Sequence, residues 1–407
     1  MALTGPANGL ALGPPAGLVA GLRSIAEQLA EHTRRIGTAV QLDPLALLGE
    51  RAALTGLRRA GRVSCGGATR LLPTADGWVA VSLARPDDWG SVAAWIGAGP
   101  TWDDVATEVA GRAAAEVVMQ GVLLGLPVAV VPSLDQPPAT SPAVVATPLG
   151  DAAGPGQLAG ALVVDLTSLW AGPLCGSLLA DAGATVVKVE SSGRPDGGRA
   201  GPPAFFDLLN AGKRSVALDL ATSTGRAQLA ALIAAADVVL EGSRPRALEQ
   251  LGIERGVVMA QAGPQVWVSI TGHGRGPDAR ERVGFGDDAA AAGGLVVWSG
   301  DGDGDGVDDG DGDGVDDQYG PYFCADAVAD PAVGLAAATA VADAIEAGGR
   351  WTLDVALASV AASLAGPTLS VPAGTEPAEP RARPSRGPAR ALGADTGAVL
   401  AELARRS

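Results

Sequence analysis

Between residues 160 and 298 the chain alternates two hydrophobic periods. Short apolar runs at 161–166, 185–190, 215–219, 237–241 and 266–271 have the length and branched composition of buried strands. The segments 173–182, 224–236 and 245–251 carry apolar residues at helical spacing. Repetition of this kind predicts a parallel sheet with helices on both faces. The first repeat, Val163 to Glu190, reads as a strand, a loop with Ala171-Gly172-Pro173, a small-residue helix and a second strand. It has no G-x-G-x-x-G turn, so an ordinary dinucleotide fingerprint is absent. Ligands of such sheets bind beyond the carboxyl ends of the strands, which makes Ser168, Leu169, Trp170 and Ala171 candidates to line a crevice.

The flanking pattern is more varied. Residues 1–16 are rich in Gly and Pro and predict a poorly ordered arm; Leu18 to Ile36 has helical periodicity and stops before Gly37, so 1–45 reads as an arm and a helix. Residues 46–132 read as a small α+β domain. Leu71 to Leu83, broken by Ala75-Asp76-Gly77-Trp78, predicts a β-hairpin, and Trp89 to Val131 predicts helices closing on an apolar strand at Val128 to Val131. Pro, Ala, Ser and Gly dominate 133–159, a linker. Asp330 to Ala347 predicts a helix, Trp351 to Val355 a strand, and more helix follows to Ala365. The tail, 366–407, is rich in Pro, Ala and Arg, with a short helix near its end. The fold class expected is α/β: a Rossmann-like parallel-sheet domain over 160–365, with the smaller α+β domain before it.

Composition narrows the function classes. Apolar residues make up 47% of the 407 positions and aromatics only 3%, as in tightly packed α/β layers. Three cysteines, Cys65, Cys175 and Cys324, stand in no metal spacing and suggest a reducing cytoplasm. No basic region precedes an apolar run at the start, so no signal peptide is expected, and no apolar stretch is long enough to predict a membrane partner. The net charge is −16, and nine aspartates lie between Asp301 and Asp317; without those nine the charge is −7, which argues against a nucleic-acid partner. The Asp-x-Asp-x-Asp-Gly spacing inside the insert 299–320 is that of a calcium loop, but the twelfth position from Asp301 is Gly312. A solvated loop and no metal are expected.

Against this acidic background Arg194, Arg199, Lys213, Arg214, Arg244 and Arg246 fall within one and a half α/β units. Lys188 and Lys213 are the only lysines in the chain. A solvated sheet edge is one reading; a site for the phosphates of a nucleotide-type ligand is the other.

Five further stretches occur in order: Val163-Val164-Asp165-Leu166-Thr167, Leu179 to Glu190, Asn210 to Leu220, Ala236 to Glu241, and Ser269 to Pro277. Together they resemble the class III CoA-transferases, the family of formyl-CoA transferase and carnitine CoA-transferase, over roughly 160–365. The resemblance implies coenzyme A as substrate, an acyl-CoA and a carboxylic acid as partners, and a homodimer. It also implies an aspartate nucleophile near a helix start, followed four residues later by Gly. Asp330 and Gly334 match that spacing, with Asp326 the runner-up one turn earlier. Taken alone, Asp330-Pro331 before an Ala-rich helix reads as an N-cap, and a helix N-terminus would keep the carboxylate ionised.

For CoA the resemblance implies contacts along Ser168 to Ala171, Leu218, Gly242, Ser243 and Leu251. Ser191, Ala221 and Gln250 replace basic residues of formyl-CoA transferase, so Arg194, Arg199, Lys213 and Arg214 become the candidate phosphate contacts. The block around Gly66-Gly67 looks like the family's small domain, which normally follows the catalytic region; here it precedes it, as in a circular permutation. The racemase branch of the family uses a histidine where this chain has Phe285; its only histidines are His32 and His273. An α-methylacyl-CoA racemase-like isomerase, or a CoA-binding homologue without catalysis, are the alternative readings.

Overall fold

The computed structural model describes residues 2–138, 141–150, 154–261, 263–299, 320–372 and 374–406. The Asp-x-Asp-x-Asp-Gly stretch, with its reading as a solvated loop, lies outside the described residues. The first third of the chain runs α1 (Ala16–Ile36), α2 (Glu50–Thr55), β1 (Thr69–Pro73), β2 (Trp78–Ser82), α3 (Pro86–Ile96), α4 (Trp102–Ala110), α5 (Ala114–Leu123), β3 (Val128–Val131) and β4 (Val144–Pro148). Then come β5 (Leu162–Asp165), α6 (Ala171–Asp181), β6 (Thr185–Ser191), α7 (Pro203–Asn210), β7 (Arg214–Leu218), α8 (Ser223–Ala235), β8 (Val238–Glu241), α9 (Pro245–Gln250), α10 (Arg255–Ala260) and β9 (Val266–Thr271). The last elements are α11 (Gly286–Ala292), β10 (Val296–Trp298), β11 (Pro321–Phe323), α12 (Ala329–Ala347), β12 (Trp351–Ala356), α13 (Leu357–Leu364) and α14 (Thr396–Arg406).

The Val-rich runs pair as expected into one sheet of order β4-β12-β9-β8-β5-β6-β7. All neighbours are parallel except β4, which lies antiparallel to β12. From the β7 edge the parallel strands stand in the 3-2-1-4-5-6 order of a doubly wound sheet, whose switch point falls between β5 and β8. Period-2 alternation sends successive residues to opposite faces. Val163, Val186, Val238 and Val268 enter the core built on α1, α6 and α12. Val164, Val187, Val239 and Trp267 enter the core that also takes Leu229 and Leu232 of α8 and Val399 of α14. Helix α12 owes its central place to its small side chains: Ala332, Ala336, Ala337 and Ala338 are all buried.

The predicted hairpin is β1–β2, with β3 completing an antiparallel sheet of three strands. Leu72, Val79 and Val81 pack with Trp95, Val105 and Val117 of α3, α4 and α5. Leu71 and Ala80, on the other face, pack against Val296, Trp298 and Phe323 of β10 and β11.

Three expectations change. The arm is packed, not loose: Leu3 and Thr4 are buried, and Thr4 Oγ1 accepts the Ala325 N–H at 3.1 Å. The stretch read as a linker contains β4, whose Val-Val-Ala-Thr core pairs with β12 despite flanking Pro and Gly. The tail is a strap. Asp395 and Thr396 accept the Ser215 and Ala217 N–H groups of β7, covering that edge of the sheet. Among the described residues no helix is long and apolar enough to cross a membrane.

Candidate functional site

The loop after β5 and the start of α6 lie at the switch point, where the sheet order reverses. Ser168 and Leu169 are exposed there, while Trp170 is buried with its ring edge-on to Phe205 at 4.8 Å. Gly242, just past β8, lies against Thr167 of this loop, and Ser243 follows it. Leu169 holds φ at 71° and donates its N–H to Asp196 at 3.0 Å.

Two lysines fix the loop from beneath. Lys188 Nζ donates to Thr167 O at 2.8 Å and pairs with Asp196 at 2.8 Å. Lys213 Nζ donates to Pro173 O at 2.8 Å and pairs with the buried Asp165 at 2.9 Å. Lys213, a candidate phosphate contact by sequence, is therefore turned inward and 2% exposed. Breaking a buried pair of this kind on one side leaves an uncompensated charge.

Asp330 occupies the first turn of α12, but the N-cap is Val328 and Pro331 lies past the first helical position. The carboxylate makes no cap bond; it faces the backbone N–H of Ala171, the first residue of α6. The Asp-x-x-x-Gly spacing has a packing cause. A Cβ on Gly334 would come within 2.8 Å of Ala171 O and of Leu174, so glycine lets α12 close on the first turn of α6. Gly286 plays the same part on the other side, since a Cβ there would overlap Asp330 Oδ2.

Four carboxylates meet at this point. Asp326 is fully buried and forms a bidentate pair with Arg51, Nε to Oδ2 at 2.9 Å and Nη2 to Oδ1 at 2.5 Å. Asp287 accepts the Ala327 N–H at 3.0 Å, and Asp288 accepts the Phe285 N–H at 2.9 Å. Burial pushes Asp330 up to about 7, with Arg51 opposing the rise and Asp287 and Asp326 adding to it. Asp287 rises to about 7 through burial and Asp326, against Arg51, and Asp288 to about 8 through burial, against its backbone hydrogen bond. The helix N-terminus alone does not keep Asp330 ionised. Ala325 and Ala327 hold φ at 57° and 44° on either side of Asp326. Left-handed backbone at such residues costs about 1–2 kcal/mol each and collects at functional sites.

The remaining basic candidates divide. Arg199 pairs with Glu190 at 2.6 Å and stacks on Phe206, and Arg214 pairs with Glu402 of α14 at 2.6 Å. Arg194 and Arg244 are exposed and form no ion pair among the described residues. Burial, then Arg246 and Arg85, push the Arg244 guanidinium down against the pull of Glu281; in the chain Arg194 follows β6 and Arg244 follows β8. Leu218 is buried in the core that takes α8, and Leu251 packs against the same core, as does Leu166 at the end of β5. His273 is pushed down to about 3 by burial and Arg282, and so stays neutral.

Sequence patterns did not point to Arg51, Asp287 or Asp288. Arg51 comes from α2, 275 residues before its partner, and carries no local motif. The pair Asp287-Asp288 lies in the first turn of α11, a helix of seven residues that the sequence pattern did not predict.

The family model described as CoA-transferase family III matches residues 158–399. The chain is 34% identical over 145 residues to succinyl-CoA–D-citramalate CoA-transferase of Chloroflexus aurantiacus, covering 34% of this chain and 36% of that protein. It is 37% identical over 136 residues to succinate–glutarate CoA-transferase of Agrobacterium fabrum, covering 30% and 34%. A solved CAIB/BAIF family protein from Brucella suis aligns at 31% identity and a TM-score of 0.43, over 50% of this chain and 54% of that one. The matched stretch thus spans about a third of the length of these curated relatives.

Proposed function

The chain belongs to CoA-transferase family III, and on that premise we propose that it moves CoA from an acyl-CoA to a carboxylic acid with Asp330 as nucleophile. The observation that carries the proposal is the seat of Asp330. The Asp330 carboxylate faces the Ala171 N–H at the head of α6, beside the loop that ends β5. An Asp330 oxygen attacks the thioester carbonyl, and the C–S bond breaks to release CoA thiolate and leave a mixed anhydride. The thiolate then attacks the aspartyl carbonyl, the donor acid leaves as its carboxylate, and CoA rests on Asp330 as a thioester. The acceptor carboxylate attacks that thioester, and the returning thiolate takes the acceptor acyl group from the second anhydride. Backbone N–H groups such as that of Ala171 support the tetrahedral oxyanions.

Arg194 and Arg244 are the groups we assign to the CoA phosphates, because they are exposed beside the switch point and free of carboxylate partners among the described residues. Asp326 is assigned a supporting role, since Arg51 occupies both its oxygens. The proposal includes the homodimer that the resemblance implies, acting on CoA esters of the cytoplasm. The small domain at 46–132 and the catalytic domain at 160–365 are its working units, in the permuted order.

The test is direct. Wild-type protein incubated with an acyl-CoA and then hydroxylamine should carry a hydroxamate on Asp330 by mass spectrometry, and Asp330→Ala should lose both label and acid-to-acid exchange. Full exchange activity in Asp330→Ala overturns the assignment.

A further inference from the structure

The segment ahead of residue 158 lies outside the family match, yet it supplies one wall of the site. We propose that Arg51 is a positioning residue for Asp330: the cation by which this segment fixes the turn before α12 and favours the ionised nucleophile. The inference rests on the reading of Asp330 as nucleophile.

The geometry is over-determined. The guanidinium donates twice to Asp326, and lies 5.2 Å from the centre of the Trp170 ring, whose Nε1 has no hydrogen-bond partner among the described residues. The planar fork of arginine suits both contacts, a bidentate carboxylate and an aromatic face. The Gly66 backbone closes the other side, where a Cβ would sit 3.2 Å from Nη2. Cys65 beside it donates to Ala325 O at 3.5 Å. Asp326 stands between Ala325 and Ala327, both with left-handed backbone, so the Arg51–Asp326 pair anchors the strained turn. The turn in turn sets Asp330, whose N–H donates to Ala327 O at 2.9 Å.

The charge balance points the same way. The groups facing Asp330 are Asp287 and Asp288 from α11, Asp326 from the turn, the Ala171 N–H from α6, and Arg51 from α2; the Cys65 thiol is pushed up to about 12 by burial, then by Asp326 and Asp287, and stays neutral. Arg51 is the cation that acts on both Asp330 and Asp287. Replacing it with a neutral residue leaves the carboxylates to repel one another, so Asp330 should hold its proton to higher pH.

The experiment reads Asp330 without relying on turnover. The pH dependence of Asp330 modification by a water-soluble carbodiimide is followed by mass spectrometry on wild type, Arg51→Gln and Arg51→Lys. Gln keeps a planar amide that can donate to Asp326, and near-UV circular dichroism confirms folding. The midpoint should rise by about one pH unit or more in R51Q, a tenfold change in ionised fraction below neutrality, and stay near wild type in R51K. An unmoved midpoint in folded R51Q overturns the proposal, as does an R51K midpoint shifted as far as that of R51Q. Should R51Q not fold, R51K remains as the second variant: a midpoint near wild type supports the role of the charge, and a rise of about one unit overturns it. Failure of hydroxylamine trapping would instead count against the nucleophile assignment and leave this midpoint readable.

Discussion

Asp288 makes the stability of this protein depend on pH in a direction opposite to that of most aspartates. It is fully buried, its Oδ1 holds the Phe285 N–H, and its Oδ2 has no hydrogen-bond partner among the described residues. Burial raises it from 3.8 to about 8. The folded chain therefore keeps a proton that the unfolded chain has already released. Its contribution to stability is fully present below the unfolded value and is lost as pH rises towards the folded one. Each unit of separation corresponds to about 1.4 kcal/mol, so a shift of this size sets a ceiling of roughly 6 kcal/mol. Relaxation and water entry will leave a few kcal/mol of it. Asp288→Asn keeps an oxygen for Phe285 but cannot ionise, and its unpaired amide costs about 1–3 kcal/mol at every pH. D288N should be less stable than wild type near pH 4 and more stable near pH 9. Urea unfolding followed by tryptophan fluorescence, at unit intervals of pH, gives the difference curve. Asp287 and Asp330 titrate in both proteins and largely cancel. A difference curve that stays flat across this range would refute the reasoning.

Two further outcomes follow from the site. Gly286→Ala places a Cβ about 2.3 Å from Asp330 Oδ2 and 2.6 Å from Ala327 O; a displacement of about 1 Å costs roughly a hundredfold in turnover, so kcat should fall far more than KM rises, and a kcat within about twofold of wild type would contradict the packing account. Arg194→Ser and Arg244→Ser should each raise KM for the CoA ester by roughly tenfold or more, the value of a charge-assisted contact, with a smaller response to added salt than wild type; unchanged KM in both variants removes them from the phosphate site.

The sheet was legible in the sequence because each of its parallel strands carries valines in a short apolar run, and because segments at helical spacing alternate with them. Family membership, inferred from five ordered motifs, agrees with the match at 158–399. Strand β4 was hidden because Val144-Val145-Ala146-Thr147 sits among Pro, Gly and Ser, a composition that signals a linker regardless of pairing. Lys213 looked like a phosphate ligand because nothing local to it reveals Asp165, 48 residues away, as its partner. The short helices α7, α10 and α11 escaped notice, since six to eight residues give too little periodicity to separate from a loop. The acidic cluster around Asp330 was out of reach for the same reason as Arg51: it is assembled by tertiary packing from α2, α11 and the turn before α12.

The position of β12 also bears on synthesis. It lies between β4 and β9, which do not pair with each other, and of the described strands of this sheet it is the last to leave the ribosome. At about 5–20 residues per second, the roughly 200 residues from β4 to β12 take on the order of 10–40 s. Throughout that time β4 has no partner, and for the last roughly 80 residues of it, about 4–16 s, β9 offers an open apolar edge. Such edges recruit strands from other chains. The growing polypeptide thus passes through a stage in which most of its sheet can form while the closing strand is still untranslated. A holdase bound to nascent chains shorter than about 350 residues, and released once Ala356 has emerged, would be the cellular trace of this order of assembly.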